Sequence, residues 1–363
     1  MNYSEALDWL YSTQLFGIKL GLEGPRRLLR EYLAFPPRNT KVIHVAGTNG
    51  KGSTCAFIDS VARATGTRTG LFTSPHLIEY PERIRVSGIE IEKDEVALHL
   101  SALRELVTQW DPHPTFFEIS LALAMKYFSE RQCELVILET GMGGRLDATS
   151  AIPADIAVLT PIGMDHQEWL GETLTDIATE KAAIIVPGKN VISSTQLPEA
   201  DAIIRQIANE RRAPLTFAGE PLEGYALGLT GAHQQENAAL AVEALHAAGI
   251  TLNYETVKAG LSSTQWPGRF ERVDFSMPKG ASVTILDIAH NPAAARVLTA
   301  TWQSEFGNTK ANLIFGAVEA KDIEGMLDAL VPIAGHLHFV PVNSPRALAP
   351  EKLVAFLSEK APA

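Results

Sequence analysis

Short β-rich apolar runs alternate along this chain with longer helical segments. The runs fall at Val42 to Ala46, Leu135 to Glu139, Ile156 to Thr160, Asn190 to Ser193, Val283 to Asp287, Asn312 to Phe315 and His336 to Val340. Strands of this kind, separated by helices, predict a doubly wound α/β architecture with buried, mainly parallel strands. Two helix starts are written locally: Thr115-Phe116-Phe117-Glu118 is a capping box, and Thr173-Leu174-Thr175-Asp176 is a looser version of it. Turn residues cluster from Trp266-Pro267-Gly268 to Pro278-Lys279-Gly280 before a fresh strand-helix series. That joint predicts two domains, 1–275 and 276–363, the second smaller. No internal repeat or low-complexity segment interrupts the pattern.

The first run carries chemistry. Val42-Ile43-His44-Val45-Ala46 leads into Gly47-Thr48-Asn49-Gly50-Lys51-Gly52-Ser53-Thr54. Glycines after a buried strand let backbone N–H groups close on phosphate oxygens, Lys51 supplies a charge, and a hydroxyl at the start of the next helix can ligate Mg²⁺. Strict Walker spacing would need glycine where Val45 stands, so this is a variant phosphate loop. Ligands of open parallel sheets sit beyond the carboxyl ends of strands. Gly47 to Ser53, Glu139 to Asp147, Pro161 to His166 and Asp287 to Asn291 are therefore expected on one functional rim. Glu139 ends a buried strand and reads as a metal ligand, or as a solvated strand-end acid. His166 reads as a ligand or a structural histidine. Lys181, among small and apolar residues, reads as a solvated helix lysine or as a desolvated amine able to react with CO₂.

Composition narrows the partners. The 363 residues are 46% hydrophobic, and 31 basic against 42 acidic side chains leave a net charge of −11 with no basic run. Nucleic acid is not an expected partner, because its binding rests on clustered Lys and Arg. The first residues have neither a basic nor an apolar leader region, and no apolar stretch reaches the length of a membrane span. The expectation is a cytoplasmic, monomeric protein. Cys55 and Cys133 lack metal-type spacing and read as reduced core residues.

The strings HVAGTNGKGST, TSPHL with ERI, ETGMGGRLDAT, GMDH, EKAAI, GAHQQENAALA, WPGRFE, AHNP and KDI with PRAL resemble, in order, those of the folylpolyglutamate synthase and dihydrofolate synthase family, a branch of the ATP-dependent Mur ligases. The resemblance spans Gly17 to Ala347. It implies a P-loop Mur-ligase-type ATPase domain plus a smaller Rossmann-like domain, and ligation of L-glutamate to dihydropteroate or a folate through an acyl phosphate. It assigns Gly47, Thr48, Asn49, Gly50, Lys51, Gly52 and Ser53 to phosphate binding. Ser53, Ser74, Glu139 and His166 fall to two Mg²⁺ ions, and Lys181, carbamylated, to supporting the second. Asn237, otherwise an ordinary polar helix residue, matches an adenine-side contact. Arg269, Asp287 and His290 match phosphate, ribose and nucleotide contacts. Arg83, Phe117 and Asp147 match residues that take the pterin-bearing acid. Phe117, which could equally be a core aromatic, would stack on the flat ring, and Asp147 would accept its N–H groups.

Some positions depart from the family pattern. Ile288 stands where a glycine is usual, Ser150 replaces a frequent asparagine, the stretch from Phe217 to Gly231 is short, and the chain ends soon after Arg346. Altered glutamate or folate specificity is the expectation from these. Two other readings remain: a Mur-type ligase for a different acid, and a non-catalytic ATP-binding regulator. A guanine-nucleotide switch lacks its Asn-Lys-x-Asp string.

Overall fold

Strand β1 (Lys41–Ala46) is buried at every position after its first, and it is flanked by two more fully buried strands. The computed structural model describes residues 1–17, 21–218, 220–277, 280–319, 321–344 and 346–358. After β1 come β2 (Thr69–Phe72), β3 (Ile84–Val86), β4 (Ile89–Glu90), β5 (Leu135–Glu139), β6 (Ile156–Leu159), β7 (Asn190–Ser193) and β8 (Leu215–Phe217). They form one sheet in the order β4-β3-β2-β5-β1-β6-β7-β8. Every pairing from β2 to β8 is parallel, and β3 and β4 extend the sheet antiparallel. The mainly parallel sheet expected from the apolar runs is present.

Helices cover both faces. On the face of Val42 and Ala46, one apolar cluster joins Val42, Val136 and Leu138 to Leu28, Ile119 and Leu123, and another joins Ala46 and Leu159 to Ile177, Ile185 and Ile204. The helix Lys51–Ala64 is buried from Gly52 to Ala62. It is held against the helix Tyr254–Ser263 at Gly260, where a Cβ would lie 2.4 Å from Val61 Cα. Ser60 Oγ donates to Gly260 O at 2.7 Å. Both capping boxes form: Glu118 N donates to Thr115 Oγ1 at 3.4 Å and Asp176 N to Thr173 Oγ1 at 3.1 Å. Cys55 and Cys133 are buried free thiols. Among the described residues no helix is long and apolar enough to cross a membrane.

Contacts divide the chain into Met1–Gly228 with Gln234–Gln265, and a second unit made of Leu229–His233 and the chain from Trp266 onward. A joint at 275/276 would cut β9 (Glu271–Met277), which pairs antiparallel with β10 (Gly280–Leu286). The hairpin's hydrogen bonds keep those residues together, and the division falls at its foot instead. The second unit continues with helix Pro292–Phe306, β11 (Ala311–Phe315), helix Ile323–Leu330, β12 (Ala334–Phe339) and helix Pro350–Ser358, with β11 and β12 parallel. A small core forms around Ala295, Met326, Leu330 and Ile333.

Candidate active site

The loop after β1 is shaped by two glycines. Gly47 has φ 155° and Gly50 φ 86°; a Cβ on Gly47 would sit 1.9 Å from Thr160 Oγ1, and one on Gly50 2.6 Å from Asn237 Oδ1. The exit of β6 holds the loop in place: Thr48 Oγ1 donates to Gly163 O at 2.9 Å and accepts from Gly163 N at 3.0 Å. The amides of Thr48 and Asn49 both donate to Pro161 O, at 2.9 and 3.3 Å. The donors turned toward an anion are consequently those of the first turn of the 14-residue helix Lys51–Ala64, at Lys51, Gly52 and Ser53, which have no intrahelical acceptor and stand at the positive end of the dipole.

Two ammonium groups meet on this loop. Lys51 Nζ donates to Gly47 O at 3.2 Å and Thr48 O at 3.3 Å, and Lys181 Nζ donates to Gly47 O at 2.9 Å. Lys181 is only 4% exposed. Burial first, and the Lys51 charge second, push its pKa down to about 7. The reading of Lys181 as a solvated helix residue is thereby excluded.

Glu139 lies beside Val45 in the register of β1 and β5 and is buried. Its Oε2 accepts from Ser74 N at 3.1 Å, so the structure brings Glu139 and Ser74 together. Ser53 is buried, with Gln234 Nε2 3.5 Å from its Oγ. His166 differs: it takes a left-handed backbone (φ 52°), its side chain is 43% exposed, and its Nε2 lies 3.9 Å from Asp165 Oδ2. Among the described residues no three His, Cys, Asp or Glu side chains form a metal-holding group. The donors here are one buried carboxylate and hydroxyl oxygens, a hard set that suits an ion such as Mg²⁺ which keeps several waters.

Beyond β5 opens a cavity of about 410 Å³, whose lining includes Thr115, Phe117, Gly141, Arg145, Asp147 and Trp169. Its size falls among small-molecule sites. A Cβ on Gly141 would be 2.8 Å from Phe117 Cζ and 3.2 Å from Asp147 Oδ2, so ring and carboxylate approach each other across the missing side chain. Asp147 Oδ1 accepts from Thr149 N (3.0 Å) and Oδ2 from Met142 N (2.9 Å), while burial pushes its pKa up. Arg83 does not line this cavity. It is buried, its Nε donates to His76 Nδ1 at 2.7 Å, and its guanidinium lies 5.1 Å from the Phe116 ring centre. His76 and Trp169 were not singled out from the sequence. The TSPHL string contains the first, and nothing local marks the second.

Asn237 is buried rather than solvated: its Nδ2 donates to Gln234 Oε1 at 2.9 Å, and Thr54 Oγ1 lies 3.4 Å from its Oδ1. In the second unit, Asp287 accepts from Phe270 N (2.9 Å) and Ala289 N (2.8 Å), His290 Nδ1 lies 3.0 Å from Ile288 O, and Arg269 is half-buried. Asn291 caps the helix Pro292–Phe306. Asp287 to Asn291 follow β10, whose sheet is the β9–β10 hairpin. β10 is not a strand of the eight-stranded sheet, because it pairs with its own neighbour in sequence.

Residues 45–218 match the Mur ligase middle domain, and residues 268–362 the Mur ligase, glutamate ligase domain. The chain is 36% identical to a dihydrofolate synthase/folylpolyglutamate synthase of Bacillus subtilis, across 95% of this chain and 86% of the relative. Among solved structures it is similar to Escherichia coli FolC in complex with DHPP and ADP (33% identity, TM-score 0.86, covering 97% of this chain and 87% of that one). It is also similar to a bifunctional folylpolyglutamate synthase/dihydrofolate synthase with Mn, AMPPNP and L-glutamate bound (30% identity, TM-score 0.84, covering 97% and 87%).

Proposed function

Because the chain belongs to the dihydrofolate synthase/folylpolyglutamate synthase family of Mur ligases, we propose that it uses ATP to join L-glutamate to the carboxylate of dihydropteroate, of a folate, or of both. The observation that carries this reading is the adjacency of two features on one sheet. β1 ends in a phosphate loop, and β5, paired with it, runs into the cavity of Phe117 and Asp147. Relatives with ADP and DHPP bound, and with Mn, AMPPNP and L-glutamate bound, support it.

A carboxylate resists attack by an amine, so the acid must first be activated. The γ-phosphoryl group passes from ATP to a carboxylate oxygen: the new P–O bond forms as the bridging bond to ADP breaks. The glutamate amine then attacks the acyl carbon, loses its proton, and phosphate leaves as the amide forms. Lys51 and the first-turn amides of its helix stabilise the phosphate charge that develops. Ser53, Ser74, Glu139 and His166 would hold two divalent ions, Mg²⁺ in the cell, whose charge offsets that of the phosphates. Lys181, as its neutral amine, adds to CO₂ through a new N–C bond and releases a proton; the resulting carboxylate would sit beside Lys51. Phe117 and Asp147 receive the pterin ring, with Arg83 behind Phe116. Thr48, Asn49, Gly50, Gly52, Asn237, Arg269, Asp287 and His290 complete the nucleotide contacts in this reading.

ADP formation that requires both glutamate and dihydropteroate or a folate tests the proposal, and nucleotide binding without turnover in any combination would replace it with a binding protein. Within the pocket, Phe117→Ala is expected to lose stacking of about 1 kcal/mol, roughly fivefold in the Michaelis constant for dihydropteroate. Asp147→Ala acts in the same direction because a buried ring N–H loses its acceptor. Steady-state measurement of both constants checks this: the constant for ATP should stay nearly unchanged, and equal effects on the two substrates would remove the pterin assignment.

A further inference from the structure

His44 is 1% exposed in the middle of β1, between Leu138 of β5 and Ala157 of β6. An apolar β-branched residue would fill such a position without a polar group to satisfy. The imidazole Nε2 lies 2.6 Å from Thr149 Oγ1, and Thr149 is itself fully buried. Thr149 Oγ1 in turn lies 2.5 Å from Asp147 Oδ1.

The direction of donation along this chain follows from the hydrogens available. Both oxygens of Asp147 already accept backbone amides, Oδ1 from Thr149 and Oδ2 from Met142, so the carboxylate is an acceptor throughout. Thr149 has a single hydroxyl hydrogen, and it goes to Oδ1. The hydroxyl then faces His44 with a lone pair, which requires hydrogen on Nε2. Burial pushes the His44 pKa down to about 3, which keeps the ring neutral at working pH.

We propose that His44 is a positioning residue for the acid-substrate pocket: donating to Thr149, it fixes the hydroxyl that orients the Asp147 carboxylate toward the cavity. The inference rests on the pterin role given to Asp147 above. Without the imidazole, the Thr149 hydroxyl is free to rotate to another acceptor and Asp147 loses one of the donors that hold Oδ1. His44 stands on the strand that runs into Gly47, so β1 supports the phosphate loop at its tip and, through Thr149, the Asp147 carboxylate from its middle.

Calorimetric binding of dihydropteroate in the presence of ADP reads this without turnover. His44→Phe keeps a flat ring and removes the donor, Thr149→Val keeps the shape and removes the hydroxyl, and His44→Gln restores a donor. The first two should each weaken dihydropteroate binding about tenfold, leave ADP binding unchanged, and combine to no more than the larger single effect, because they break one chain of bonds. His44→Gln should recover most of the affinity, a result that a purely structural role would not give. Imidazole ¹⁵N shifts of the wild type should show hydrogen on Nε2 across the neutral pH range. Unchanged dihydropteroate binding in both variants, equal losses for ADP, additive effects, or hydrogen on Nδ1 would each overturn the inference. Wild type that binds dihydropteroate in a His44-dependent way yet forms no ADP would sink the ligase reading and leave this one standing. Absence of dihydropteroate binding by the wild type would remove both.

Discussion

Lys51→Ala is expected to lower turnover at saturating ATP by about 10²- to 10³-fold, the usual cost of removing one preorganised group aimed at developing charge. The melting temperature should barely move. The lysine head donates to Gly47 O and Thr48 O, and its stem is half-buried at the start of a helix whose remaining first turns are packed without it. Glu139→Ala should produce a comparable loss of turnover with a larger structural effect, since the change leaves the Ser74 amide without its carboxylate. Initial rates of ADP formation, measured with thermal unfolding of the same samples, check both. A Lys51→Ala protein that kept near-normal turnover would remove the phosphate loop from the mechanism.

Abolished turnover with raised stability is the expected outcome for Lys181→Met. The folded-state pKa of Lys181 is depressed to about 7 from an ordinary 10.5. Between those values the unfolded chain binds a proton that the folded chain does not, so wild-type stability rises with pH through that window, and at or below pH 7 the burial penalty is largely present. Methionine carries no such penalty. In CO₂-free buffer at neutral pH the variant should therefore be more stable by an amount on the order of a few kcal/mol, and the advantage should shrink as pH rises toward the usual lysine range. Activity follows the amine in the other direction: wild type stripped of CO₂ should lose turnover and regain it with bicarbonate, more readily above pH 7, where the amine is neutral. Lys181→Arg cannot form the carbamate and should stay inactive. Thermal melts across pH, and rates with and without bicarbonate, are the measurements. Bicarbonate-independent activity would discard the carbamate, and a destabilised Lys181→Met would discard the account of its burial.

β1, β5, β6, β7 and β11 lie within a residue of the runs at Val42, Leu135, Ile156, Asn190 and Asn312. The first four are buried strands of the large sheet, where continuous apolar character is needed to bury a strand under two helical layers, while β11 alternates buried and exposed positions. β3, β4 and β8 were not anticipated: each has two or three residues, and most of those are partly or fully exposed. Their extended form is imposed by a neighbour's edge. β2 is fully buried, but its sequence Thr69-Gly70-Leu71-Phe72 offers only two large apolar residues and a glycine, no apolar run. β9 lies in the turn-rich joint, and it exists by pairing with β10.

At the site, the residue sequence alone determined what each local segment must do: glycines at 47 and 50 for backbone that no side chain fits, Lys51 and Ser53 at a helix start, a carboxylate at the end of a buried strand, and the capping boxes of Thr115 and Thr173. Apart from the crowding of Gly47 by Thr160 and of Gly50 by Asn237, these are needs of neighbouring residues, and neighbouring residues satisfy them. Tertiary structure alone decided which groups meet. Lys181 reaches the carbonyl of Gly47 across 134 positions, Pro161 takes the amides of Thr48 and Asn49, Arg83 donates to His76, and a histidine inside β1 touches Thr149. Such meetings depend on the order and register of eight strands and on burial, which removes water as the alternative partner and so selects the hydrogen bonds and the protonation states that remain.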